Sequence, residues 1–161
     1  MTTMGKEKAE IKFLDVSDLE VQFRVPRRDG FFYQKSAALK AVDGVSFSMT
    51  RGETLGLVGE SGCGKSTTGR AVLQLLRPSR GRVIFDEEPI HEFWKRKGQK
   101  WVWDQRLRDL RRRMQMIFQD PFASLNPRMT VESILAEPLR NFDVIQGVER
   151  REKIQHLLMT V

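Results

Sequence analysis

Nine consecutive residues carry the most direct chemistry: Gly59-Glu60-Ser61-Gly62-Cys63-Gly64-Lys65-Ser66-Thr67. A glycine, four residues, then Gly64, Lys65 and Ser66 is the spacing of a phosphate-binding loop. Glycines allow a turn tight enough for successive backbone N–H groups to converge on phosphate oxygens. A helix starting at Lys65 would add its positive end to the same anion site. Lys65 reads as a point charge for the β- and γ-phosphates of a nucleoside triphosphate, and the Ser66 hydroxyl as a Mg²⁺ ligand. At average composition four such fixed positions arise by accident in roughly one chain in a hundred or more of this length. The setting of the loop makes accident a poor explanation.

That setting is a strand, the loop and a helix. Glu53-Thr54-Leu55-Gly56-Leu57-Val58 is a short apolar run that predicts a buried strand. Lys65 to Leu76 predicts a helix with Ala71, Val72, Leu75 and Leu76 on one face. Upstream, Leu19, Val21 and Phe23 alternate with polar residues in a predicted strand over Phe13 to Val25, which Pro26-Arg27-Arg28-Asp29-Gly30 ends. Phe31 to Lys35 reads as an aromatic loop or short hairpin arm, and Ala41 to Met49 as a strand with a bulge or turn at Asp43-Gly44. Downstream, Pro78 to Gly81 is a connector and Val83-Ile84-Phe85 a strand. His91 to Trp103 is basic and tryptophan-bearing, and its pattern assigns no element. A helix over Asp104 to Arg113, with Leu107 and Leu110 three apart, leads to a strand over Met114 to Phe118. Thr130 is a good N-cap for a helix over Val131 to Glu137 that Pro138 should kink or end. A last helix runs from Glu149 to Leu158. The fold class is therefore α/β, a phosphate-loop sheet with flanking helices and an antiparallel β arm near the N-terminus.

At 161 residues, with 40% apolar and 9% aromatic content, the chain can build one compact core and is not of disordered composition. No apolar run approaches the roughly 20 residues that span a bilayer. Residues 1–11 read as a polar tail, and Met1 to Glu10 lacks the apolar core of an export signal. The single cysteine cannot form an internal disulfide, so a cytosolic setting is expected. The net charge of +7 gathers in Lys95, Arg96, Lys97 and Lys100, and in Arg106, Arg108, Arg111, Arg112 and Arg113. Asp104 and Asp109 interrupt the second group, as on a solvated, pair-forming helix face. No nucleic-acid motif accompanies the charge, so nucleic acid is not an expected partner.

Val83-Ile84-Phe85-Asp86-Glu87 imitates a strand delivering a Mg²⁺-binding aspartate, which would fit a small phosphotransferase using Asp86. The favoured reading is an acidic turn, Asp86-Glu87-Glu88-Pro89.

Three segments together carry a resemblance. They are Ala41-Val42-Asp43-Gly44-Val45-Ser46-Phe47, the run from Gly56 to Thr67, and Met116-Ile117-Phe118-Gln119-Asp120-Pro121-Phe122-Ala123-Ser124-Leu125-Asn126-Pro127 with Arg128 to Val131. The chain closely resembles the ATP-binding subunits of ABC transporters, in the branch of oligopeptide/dipeptide and nickel-peptide importers. The resemblance covers about residues 12–161. It implies ATP and Mg²⁺ as cofactors, with Gly59 to Thr67 around the phosphates and Lys65 and Gln119 as catalytic positions. Ser66 and Gln119 would hold the metal, and Gln119 would also sense the attacking water. A neutral amide can do both through its oxygen and its NH₂. Adenine would stack on an aromatic residue, Phe23 first and Tyr33 second, with Phe31 and Phe32 also open; Phe23 reads equally well as a core residue.

The resemblance also implies partners and place. These are membrane permease subunits docking near Asp120 to Arg128, a second ATP-binding subunit, and a solute-binding protein acting indirectly. The location would be cytoplasmic, peripheral on the inner face of the inner (plasma) membrane. No Leu-Ser-Gly-Gly-Gln-like signature, second Walker element with a catalytic glutamate, or switch histidine is present in a matching context. Residues 12–161 are thus expected to be the N-terminal part of one ATP-binding domain. Alone, the chain should bind triphosphate weakly at best and hydrolyse it negligibly. A non-hydrolysing truncated binding fragment is the alternative. The length before Gln119, with Trp94, Trp101 and Trp103, resembles an insertion.

Overall fold

The structure is a computed structural model; it describes residues 12–27, 35–142, 145 and 147–161. The described residues divide between two compact units, Met1–Arg108 and Asp109–Val161.

The first unit is built on a four-stranded antiparallel sheet in the order β2-β1-β3-β4. Its strands are β1 (Lys12–Arg27), β2 (Lys35–Thr50), β3 (Arg80–Phe85) and β4 (Glu88–Pro89). The alternation that predicts β1 holds, with one interruption that explains the burial pattern. Leu14 and Val16 are buried, and so are Leu19 and Val21. A strict period of two would put the second pair on the opposite face. A bulge between Val16 and Leu19, with Asp18 at φ 49°, inserts the extra residue that returns them to the core. Gly81 of β3 lies opposite this bulge, where the register against β1 shifts between Ser17 and Glu20. The expected irregularity at Asp43-Gly44 is also present, with Gly44 at φ 70° and the β1–β2 register shifting between Leu19 and Val21.

α1 (Lys65–Val72) packs against β1 and β2 and buries Thr68, Ala71 and Val72. It stops earlier than its sequence suggests, leaving Leu75 exposed. Gln74 takes a left-handed conformation at φ 55°. Its N–H donates to Ala71 O at 3.1 Å, and Leu75 N–H donates to Arg70 O at 2.9 Å. These two bonds make a Schellman ending, whose left-handed position is usually glycine. Glutamine stands there because its buried side chain is used. Nε2 donates to Ala71 O at 3.0 Å, while Oε1 accepts the Trp94 indole N–H at 2.9 Å.

The segment that the sequence left unassigned is a 3₁₀ turn, Ile90–Phe93, followed by a hairpin of β5 (Trp94–Lys97) and β6 (Lys100–Trp103). Gly98, at φ 60°, opens its two-residue turn, as a primed hairpin turn requires. Ile90 and Phe93 are buried, and His91 Nδ1 sits 3.1 Å from Val83 O. Asp104 ties off the hairpin: its carboxylate accepts from Lys95 at 2.7 Å and from the Arg106 backbone N–H at 3.1 Å. These contacts, Lys95 first, lower its pKa from an ordinary 3.8 to about 2. A depressed folded pKa means that this stabilisation is complete above the ordinary carboxylate range and is lost as pH falls through about 2. All three tryptophans lie in this hairpin. Tryptophan emission should therefore show a step between about pH 4 and pH 2 that Asp104→Asn removes. An unchanged step in that variant would discount the tie.

α2 (Arg106–Arg113) buries Leu107 and Leu110, as their spacing predicts. In the second unit, α3 is a single turn, Pro121–Ser124, followed by α4 (Val131–Asn141) and α5 (Gly147–Thr160). Thr130 caps α4 as expected, its Oγ1 accepting from Ser133 N–H at 3.2 Å. Pro138 does not end the helix, which continues to Asn141. A proline late in a helix removes one backbone donor, and the Phe142 N–H to Pro138 O bond at 3.1 Å still closes the last turn. α4 and α5 bury Ala136 and Ile154 beside a cleft of about 340 Å³.

Two strand expectations fail. Glu53 to Val58 and Met114 to Phe118 join neither sheet among the described residues. Val58 is 93% and Ile117 99% exposed. Apolar runs form buried strands only where neighbours satisfy their N–H and C=O groups, and no described strand lies alongside either run.

Candidate phosphate-binding site

The loop forms around Lys65. Cys63 N–H donates to Glu60 O at 3.3 Å, closing the turn. The Lys65 ammonium reaches back to the carbonyl oxygens of Gly59 at 2.7 Å and Glu60 at 2.5 Å, and lies 3.5 Å from Cys63 Sγ. A single cation is thus enclosed by Gly59, Glu60, Ser61, Gly62, Cys63 and Gly64.

Gly64 is the N-cap of α1, left-handed at φ 99°, with no side-chain cap hydrogen bond. A cap without a side chain leaves the first-turn N–H groups to whatever anion the loop receives. The second turn is locked, since Thr68 N–H and Thr68 Oγ1 both donate to Gly64 O, at 2.8 and 3.0 Å. A Cβ on Gly64 would strike the backbone carbonyl of Ala41 in β2. A Cβ on Gly59 would meet Cys63 Sγ at 2.6 Å. The cradle therefore depends on glycine at both positions, and its donor set suits a Mg²⁺-bound polyphosphate. Ser66 is exposed on the first turn and Thr67 is beside it. Ala41 is a participant the sequence reading missed, because a backbone carbonyl leaves no residue-type signal.

Phe23 lies on β1 opposite Leu39 and is 40% exposed, so it is not the buried core residue that alternation allowed. Tyr33, Phe31 and Phe32 lie outside the described residues. Asp86 sits with Glu87 in the two-residue turn between β3 and β4, both at positive φ. Its carboxylate accepts from Arg51 Nη2 at 2.6 Å. This is the acidic turn that the sequence favours, already engaged by a cation.

Gln119 belongs to the second unit and is exposed beside a run of local turn chemistry. Asp120 Oδ1 accepts Phe122 N–H at 3.0 Å, Pro121 takes the first helical position, and Ser124 Oγ closes onto Asp120 O at 2.5 Å. Asn126 Oδ1 then accepts Arg128 N–H at 3.0 Å, an Asx turn. Each polar residue of Asp-Pro-x-x-Ser-Leu-Asn-Pro thus has a backbone task or a helix-start task. The apolar residues between them face outward, Phe122 at 89% exposure.

A cation enclosed by a glycine loop at the N-terminus of a helix defines a phosphate-loop protein. The chain belongs to the ABC transporter family, whose profile matches residues 42–161. The oligopeptide transport ATP-binding protein AppF of Bacillus subtilis is 46% identical over 148 residues, 92% of this chain and 42% of that protein. OppF of Bacillus subtilis, of the same description, is 46% identical over 151 residues, 93% of this chain and 44% of the relative. The glutathione import ATP-binding protein GsiA of Pectobacterium atrosepticum is 45% identical over 148 residues, 92% of this chain and 22% of the relative. The chain spans less than half the length of these relatives.

Among the described residues, no helix is long and apolar enough to cross a membrane.

Proposed function

We propose that residues 12–161 form the N-terminal part of one ATP-binding domain, which energises import of peptides or similar solutes by an ABC transporter. The observation that carries this is the loop from Gly59 to Thr67, folded around the Lys65 ammonium at the start of α1. In this reading the loop N–H groups and Lys65 hold the ATP phosphates, while Ser66 and Gln119 hold Mg²⁺. Bound Mg²⁺ would neutralise charge on the β- and γ-phosphates. Gln119 also orients water, and Phe23, or else Tyr33, stacks on adenine. The unpaired apolar runs at Glu53–Val58 and Met114–Phe118 await strands from the rest of the domain. Exposed Phe122, Leu125 and Val131 offer an apolar face to a permease subunit. A second ATP-binding subunit completes the site, a solute-binding protein acts indirectly, and the assembly sits on the cytoplasmic face of the inner membrane.

Catalysis of phosphoryl transfer is mainly positioning and charge stabilisation. The 161-residue chain alone therefore holds nucleotide weakly and turns it over negligibly. Cys63 supplies the test, since it is exposed and its sulfur lies beside Lys65. A thiol alkylator should label Cys63, and millimolar Mg-ATP should slow the labelling several-fold. Equal rates with and without Mg-ATP would remove the nucleotide from this loop.

A further inference from the structure

The hairpin of β5 and β6 has no part in the nucleotide site, yet its composition is far from neutral. Between Trp94 and Trp103 it carries Lys95, Arg96, Lys97 and Lys100 and no acidic residue. Every residue from Lys95 to Trp103 is exposed. Cross-strand pairs divide the ribbon into two faces. Trp94 pairs with Trp103 and Arg96 with Trp101 on one; Lys95 pairs with Val102 and Lys97 with Lys100 on the other.

Lys97 directly opposite Lys100 is unfavourable unless an anion lies between or above them. Lys95 is neutralised by Asp104, but no ion pair to Lys97 or Lys100 is present among the described residues. On the other face, Trp101 and Trp103 are 45% and 46% exposed. Large indoles left in water beside unpaired cations are the composition of a membrane–water interface, where the ring sits among headgroups and the cations meet lipid phosphates.

We propose that this hairpin docks on an anionic phospholipid surface, its lysines on the headgroup phosphates and its exposed indoles in the interfacial layer. A planar lipid surface suits it better than nucleic acid. Base stacking needs a free aromatic face, and Arg77 already covers the Trp101 ring at 3.5 Å from its centroid. The chain's membership of a transporter family places a membrane within reach. The nucleotide site plays no part in the docking, so either can fail without the other.

The three tryptophans lie only in this hairpin, so intrinsic fluorescence reports its contacts alone. The purified protein is mixed with vesicles of phosphatidylglycerol and phosphatidylcholine in equal parts, and separately with phosphatidylcholine alone. Anionic vesicles should shift the emission to the blue, brominated lipid should quench it, and high salt should reverse both. The double variant Lys97→Gln/Lys100→Gln should weaken partitioning by about tenfold or more, with an unchanged unfolding midpoint. The proposal is overturned by any of four results: no tryptophan response to anionic vesicles, an equal response to phosphatidylcholine alone, wild-type partitioning of the double variant, or a response to single- or double-stranded oligonucleotide with none to vesicles.

Discussion

Gly64→Ala is expected to abolish protection of Cys63 by Mg-ATP and to lower the unfolding midpoint of the first unit. Two costs combine. At φ 99° an alanine is strained, by about 1–2 kcal/mol. Its methyl would also collide with the Ala41 carbonyl, a backbone atom that a change of rotamer cannot move. Relief requires α1 and β2 to separate, and overpacking of this kind costs about 1–3 kcal/mol. The movement displaces the start of α1, and with it the N–H groups that the loop presents to an anion. Lys65→Ala is the companion variant: it should lose the protection with an unchanged midpoint, because the ammonium contacts only loop atoms at the surface. Retention of both midpoint and protection in Gly64→Ala would mean that the contact with Ala41 does not constrain the loop.

Gly81→Ala should be the most destabilising small substitution in the sheet, by about 3 kcal/mol or more. Gly81 is left-handed at φ 94°, and an added Cβ would lie 2.5 Å from Asp18 O and 2.6 Å from Leu19 Cα. Both neighbours belong to the bulge that keeps Leu14, Val16, Leu19 and Val21 on one face. The bulge cannot withdraw without turning one of those pairs away from the core. Gly98→Ala is the control. It is also left-handed, at φ 60°, but nothing lies within 4 Å of its added Cβ, so it should cost only about 1 kcal/mol. Urea midpoints of the two variants decide the matter: equal losses would show that backbone conformation, not the fit against the bulge, sets the cost.

The features legible in the sequence were those written in local chemistry. The phosphate loop needs glycines and a lysine at fixed spacing, Thr130 and Ser133 announce a cap, and alternation marks β1. The Asp120 to Asn126 run was recognisable as a pattern before its hydrogen bonds explained why those residues stand there. Features that depend on non-local partners were not legible. The strands expected at Glu53–Val58 and Met114–Phe118 rest on apolarity, which identifies a segment suited to burial but supplies no neighbour for it. The early end of α1 was invisible because glutamine is not a usual left-handed residue, and its reason lies 20 positions away in Trp94. The tryptophan segment itself has too short a period to separate a hairpin from a loop.

Gln74 and Trp94 are consequently linked in what each position can accept. With an indole at 94, the amide at 74 is the better choice despite its strained backbone, because two hydrogen bonds offset the left-handed conformation. Without the indole, the buried amide oxygen would lose its donor, and glycine would become the better ending for the helix. Neither residue can drift alone at small cost. The hairpin and the end of the phosphate-binding helix are therefore inherited as one unit, and a lineage that lost the hairpin would be expected to carry glycine where this chain has Gln74.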